Sequence, residues 1–238
     1  MPMTAASSAV AEVLPADVSL PLVSGDRLTR DEFERRYSAM PHVKKAELIE
    51  GRVYMPSPAS HLHHSRPQSS VVTFLGVYQA ATPGVDGGDN ATLRLDLDNE
   101  PQPDAFLRVL EEAGGQSRLD SLGYLEGAPE FIAEIAASSV SYDLHDKMNA
   151  YRRNGVSEYV VWRVLDGELD WFVLRGGAYA RLTPEEGGLL RSEAFPGLWL
   201  DSAALLRGDM ARVLARLQAG LNREDHAAFV RQLNEAAS

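Results

Sequence analysis

Apolar and polar positions recur along this chain with two different periods, and the changes of period mark its elements. Phe33, Tyr37 and Met40 fall at helical intervals, and Thr29 and Glu32 stand at capping-box spacing, so a helix is predicted over residues 29–39. After Pro41, KKAELIEGRVYMPSPAS reads as two short strands turning at Glu50 and Gly51, with Leu48 opposite Val53. HLHHSRPQ is a polar break. Val71, Val72, Phe74, Leu75 and Tyr78 then define one broad apolar face over residues 66–80, with Pro67 tolerated in the first helical turn. TPGVDGGDN closes that helix with turn residues.

In ATLRLDLDNE the period shortens to two, and Leu93, Leu95 and Leu97 alternate as in a half-buried strand. PQPDAFLRVL is the next strand, with Pro103 at its start. EEAGGQSRLDSLGYLEGAP reads as a long exposed connection. From residue 129 to 164 one compact unit follows: a buried strand FIAEIA, a loop ASSVSYD, a helix over 142–153 that stops at Asn154 and Gly155, and a second strand. That strand opens a hairpin turning at Asp166 and Gly167. Weaker strands are predicted around 178–182 and 189–194, then amphipathic helices over 202–217 and 223–233. Their apolar faces suggest docking or oligomerisation. The pattern divides the chain into a mobile or loosely docked arm (1–25), an α/β domain with a central mixed sheet flanked by helices (26–200), and a C-terminal helical extension (201–238).

Composition narrows the chemistry. A 238-residue chain with 45% hydrophobic residues can bury a substantial core. It contains no cysteine, which excludes disulfides, thiolate ligands and a cysteine nucleophile and leaves carboxylate and imidazole as metal ligands. A net charge of −11 argues against a nonspecific nucleic-acid coat protein, while leaving room for transient engagement through a local basic rim. With no apolar window of about 18 residues and no signal-peptide layout, the expectation is a soluble cytoplasmic protein without a membrane partner.

Against that background a few charges stand out. Glu134 lies among Phe131, Ile132 and Ile135; a carboxylate inside a buried strand is costly unless neutralised, paired or bound to a cation, whereas an alternating strand would simply expose it. Asp104 has the same ambiguity, and its strand and that of Glu134 are successive. Adjacent pairing would bring the two carboxylates together, and two oxygen ligands completed by water favour Mg²⁺ or Mn²⁺. Lys147 is one turn after Asp143, a spacing that commonly gives an exposed salt bridge. Leu144, Met148 and Tyr151 would instead press the helix on the sheet and carry Lys147 to its edge, where an ammonium could stabilise charge on a phosphorane-like transition state. His61, His63 and His64 cluster in a Pro/Ser-rich loop, a setting in which imidazoles are more often solvated than metal-bound. Arg152 and Arg153 suit either a DNA-facing rim or the end of the helix.

Taken in order, the proline-aspartate at 103–104, EIAASS at 134–139, D-x-x-x-K-x-x-x-Y at Asp143, Lys147 and Tyr151, G-V-x-E-Y at 155–159 and ELIEG at 47–51 resemble the Uma2 family, restriction-endonuclease-like proteins of the PD-(D/E)XK nuclease superfamily. The resemblance runs over about 45–200. It implies a restriction-endonuclease-like sheet and a Mg²⁺-dependent endonuclease acting on DNA, with Asp104 and Glu134 as metal ligands, Lys147 orienting the attacking water and Glu47 assisting. It also implies a phosphate or water contact for His64 and a homodimer. One departure stands out: the usual lysine would be two positions after Glu134, where this chain has Ala136. The alternative is a noncatalytic nucleic-acid or protein-binding module that retains the fold.

Overall fold

A computed structural model describes residues 20–55 and 59–238. Most of the arm expected at 1–25 therefore lies outside the described residues. Leu22 is within them and is buried with Phe33, Ala46, Leu48 and Val53 in a small core. Burying a leucine contributes about 2 kcal/mol, enough to dock this part of the chain.

Helix α1 (Arg30–Ser38) precedes the hairpin β1 (Glu47–Ile49) and β2 (Arg52–Tyr54), in which Leu48 faces Val53 as expected. Thr29 stands at the helix N-cap, but its side chain makes no capping bond. Glu32 accepts from Arg35 and Arg36 at 2.7 and 2.6 Å, and these two guanidiniums keep it from closing a capping box. The polar break at His61–Ser65 is a π-helical turn that runs directly into α2 (Arg66–Ala81).

Three other stretches depart from the sequence reading. The glycines of TPGVDGGDN lie in an edge strand, β3 (Val85–Gly88), paired with β5 (Ala105–Val109). A Cβ on Gly87 would meet Leu107 and the Phe106 carbonyl at 2.8 Å, so close packing rather than turning requires glycine there. The leucine alternation yields only a two-residue strand, β4 (Leu93–Arg94), and Leu97 is 69% exposed. Asp96 ends it by accepting from the Asp98 amide at 2.8 Å and from Asn99, closing a turn. The long connection contributes β6 (Arg118–Leu119) and β7 (Leu125–Glu126), which join β4 in a small sheet.

The main sheet has six strands in the order β11-β10-β9-β8-β5-β3. Its two middle members, β8 (Phe131–Ala136) and β9 (Glu158–Arg163), are parallel, and its other pairs are antiparallel. β10 (Glu168–Arg175) and β11 (Ala178–Arg181) complete one edge. The β8–β9 crossover is the segment α3 (Val140–Tyr142), a π-turn (Asp143–Lys147) and α4 (Met148–Arg153), so the helix expected from 142 begins earlier and is broken by a wider turn. Alternation on β8 sorts its residues: Phe131, Ala133 and Ile135 join the large core beneath α2, while Ile132 and Ala136 pack with Tyr151 and Tyr159 under the crossover.

Strands β12 (Leu189–Arg191) and β13 (Trp199–Asp201) precede three helices, α5 (Ser202–Leu206), α6 (Met210–Leu221) and α7 (Glu224–Ala236). Val213, Leu217 and Leu221 of α6 and Leu233 of α7 belong to the same core as β8. Their apolar faces are covered by this chain itself. Among the described residues no helix is long and apolar enough to cross a membrane.

Candidate active site

Glu134 shares a face of β8 with Ile132 and Ala136, so its side chain is directed at the crossover. It is fully desolvated there and would be costly without partners. Two partners are supplied: Lys147 Nζ at 2.9 Å and the Tyr151 hydroxyl, which donates at 2.8 Å, both to Oε1. Lys147 is itself only 3% exposed. Glu47 Oε1, arriving from the separate β1–β2 hairpin, lies 3.0 Å from its ammonium, Asp143 Oδ1 lies at 3.8 Å, and the Tyr142 ring centroid at 5.3 Å. Glu47 is fixed in turn by the Gln102 amide at 2.8 Å. The lysine thus ties three elements together.

Asp104 stands immediately before β5, and β5–β8 pairing sets it beside Glu134. Its Oδ2 accepts from the Ile135 amide at 2.8 Å, while Oδ1 has His64 Nε2 at 3.4 Å and Lys45 Nζ at 3.5 Å. Gln68 donates to its carbonyl at 3.0 Å. All of these groups except Tyr151 and Gln102 line one hollow of ≈ 770 Å³, together with Tyr142 and the 137–139 loop.

Charge is unevenly matched in this cluster. Burial first, then the neighbouring Asp104, Asp143 and Glu47 carboxylates, push Glu134 up to about 8 against the opposing pull of Lys147. Burial also raises Asp143. Lys147 is pulled down by burial, but Glu134 and Glu47 outweigh that and hold it well above the ordinary lysine value. Burial is the larger cause for Glu134 and Asp143, and the crowding of carboxylates around one buried ammonium adds to it. Asp104 differs. Burial tends to raise it, but His64, Lys45 and Lys147 bring it down to about 2, so it stays ionised.

Hard oxygen donors with surplus negative charge suit a divalent cation such as Mg²⁺ or Mn²⁺. A second observation agrees with this: the buried Tyr142 hydroxyl, on the wall of the hollow, has no hydrogen-bond partner among the described residues. The carboxylates do not form a closed cage, since no three acidic or imidazole groups among the described residues converge as a ready-made ligand set. Water would therefore complete the shell.

The structure brings Glu47, Asp104, Glu134, Lys147 and His64 to one hollow. It does not bring Arg152, whose guanidinium donates to the Gly177 carbonyl, or Arg153, which pairs with Glu50. His61 contacts Ser65, while His63 lines the hollow. Glu158 of the G-V-x-E-Y motif is on the opposite face, where it accepts from Trp171, Ser192 and the amides of Glu193 and Ala194. Sequence reasoning passed over the inward turn of Asp143, although Asp143, Lys147 and Tyr151 at four-residue spacing are one polar stripe. It also passed over Lys45, Gln68 and Tyr142, for which no periodic signal exists. Ala136, where a lysine would be usual, is fully buried in the core that contains Tyr151 and Tyr159.

A mixed sheet with one acidic residue on a middle strand, another at the start of the strand beside it and a lysine on the crossover defines a restriction-endonuclease-like α/β protein. The chain belongs to the Uma2 family, described as "Putative restriction endonuclease", whose model matches residues 30–203. It is also similar to a solved structure described as a putative nuclease belonging to DUF820 from Anabaena variabilis, with 14% identity, a TM-score of 0.55, and coverage of 80% of this chain and 99% of that one. At that identity the likeness shows the fold. No curated protein matches the chain.

Proposed function

We propose that this chain is a metal-dependent endonuclease that hydrolyses phosphodiester bonds of DNA in the ≈ 770 Å³ hollow. The observation that carries the reading is Lys147 Nζ, buried and held 2.9 Å from Glu134 and 3.0 Å from Glu47 beside Asp104. Asp104 and Glu134 would hold Mg²⁺ or Mn²⁺, which when bound supplies Lewis acidity toward water and phosphate. Lys147 stays protonated, so it acts as a donor and a fixed positive charge rather than as a base. Pinned from both sides, it can orient the attacking water and offset charge that develops on the phosphoryl oxygens without reorganising. The Tyr151 hydroxyl keeps Glu134 in place, and His64 and the Ile135 amide do the same for Asp104. The family description and the named nuclease of similar fold support the same class.

Purified protein should nick duplex DNA with Mg²⁺ or Mn²⁺ and not with a chelator present. Lys147→Ala and Asp104→Ala should each reduce the rate by about 100-fold or more, the scale of losing a preorganised electrostatic contact. Cleavage that survives both substitutions would assign the activity elsewhere. A homodimer belongs to this reading, supported by the exposed Leu119, Leu122 and Tyr124 on the β6–β7 hairpin.

A further inference from the structure

A second, smaller hollow of ≈ 200 Å³ adjoins the first, and its two arginines form no salt bridge among the described residues. It is lined by Leu62 of the π-helical turn, Arg66 and Pro67 at the start of α2, Trp162 of β9, Val164 just after it, and Arg207 after α5. Both arginines are exposed, and among the described residues neither is ion-paired with a carboxylate. The guanidinium of Arg66 rests over Gly208, next to Arg207, 3.3 Å from where a Cβ on that glycine would stand. Position makes Arg66 stranger still. The helical turn that leads into α2 has no acidic residue in its first turn, and His61, His63 and His64 precede Arg66. A cation at the amino end of a helix opposes its dipole, so helix stability does not explain Arg66. In a chain of net charge −11, two arginines and no carboxylate line this hollow.

The two hollows share their dividing wall. Leu62 faces the small one and His63 and His64 the large one; Val164 faces the small one and Leu165 the large one. A strand lying in the candidate active site would cross this lip, where Leu62 and Leu165 are more than 60% exposed, and arrive between the two arginines. Two guanidiniums that make no ion pair with a described carboxylate, Arg207 feeling Asp201 only at longer range, match a phosphate in charge and in donor geometry.

We propose that the Arg66 and Arg207 cleft is a phosphate subsite that holds the substrate strand's backbone away from the cleaved bond. This rests on the nuclease reading for the path of the strand. Arg66 and Arg207 are positioning residues, outside the catalytic cluster.

The test is fluorescence anisotropy of full-length protein with a labelled duplex oligonucleotide, chelator present, from about 50 to 200 mM salt. Arg66→Gln/Arg207→Gln should weaken binding about tenfold and flatten the plot of log affinity against log salt by about 1, the signature of a lost phosphate contact. Far-UV circular dichroism and the melting temperature of the double variant should match the parent. Arg231→Gln, at an exposed arginine of α7 that lines neither hollow, should keep the parental affinity and slope. Unchanged affinity and slope in the double variant would overturn the subsite, as would absence of oligonucleotide binding by the parent. An isolated anion site would show inorganic phosphate binding that the double variant loses while oligonucleotide affinity stays the same, and this too would overturn it. Parental binding with the expected slope change but no cleavage under any metal would reject the nuclease reading and leave the subsite standing.

Discussion

Glu158 and Glu100 are buried acids with opposite consequences. Glu158 has an indole, a hydroxyl and two backbone amides as donors, which join β9 to the chain around residues 192–194. Each buried donor left unpaired costs roughly 1–3 kcal/mol, so Glu158→Ala should lower stability by about 3 kcal/mol or more in denaturant unfolding. An unchanged midpoint would show that the donors find other partners. Glu100 is almost wholly buried, and its Oε2 has no hydrogen-bond partner among the described residues. Burial, then the Glu34 carboxylate, raise it from 4.5 to about 9. Between those values the folded chain keeps a proton that the unfolded chain has released, so stability falls with rising pH. The contribution is complete below about 4.5 and is lost as pH passes through about 9. Wild type should therefore lose more stability than Glu100→Gln between pH 6 and 9, measured by urea midpoints; equal losses would place the titration elsewhere.

At the scale of elements, both π-helical turns, His61–Ser65 and Asp143–Lys147, border the candidate active site. A π-turn inserts an extra residue into a helix and re-aims the side chains that follow it. Deleting the exposed His145 should convert the second turn to ordinary α-helix, rotate Lys147 relative to Tyr142, and break the 2.9 Å bond from the Tyr54 hydroxyl to Asp146. Cleavage should be lost while far-UV circular dichroism stays near the parental signal; retained cleavage would mean that the turn is not what aims the lysine. These turns also mark where the sequence was hardest to read. The β1–β2 hairpin, β8 and the β9–β10 hairpin were legible because strand period and turn residues agreed. His61–Ser65 has no apolar stripe, and the run around Gly87 looks like a turn because the packing that requires glycine comes from β5. Asp104, Glu134 and Lys147 were legible as anomalies of charge. Lys45 and Gln68 reach Asp104 only through tertiary folding, which no local spacing records.

Over the whole molecule, the C-terminal helices complete the core, which removes their apolar faces as an argument for self-association. One exposed apolar group lies on the β6–β7 hairpin, with Leu119, Leu122 and Tyr124. If it is the dimer contact, sedimentation velocity should show a dimer for the parent and a monomer for Leu122→Glu; a monomeric parent removes the homodimer. A last consequence follows from Ala136 being sealed beneath Tyr151 and Tyr159. A lysine at 136 would require room filled by aromatic rings, one of which steadies Glu134. A single exchange of Lys147 for a lysine at 136 would lose the old contact before the new one could form. The packing that seats Lys147 beside Glu134 thus closes the strand position to a second cation.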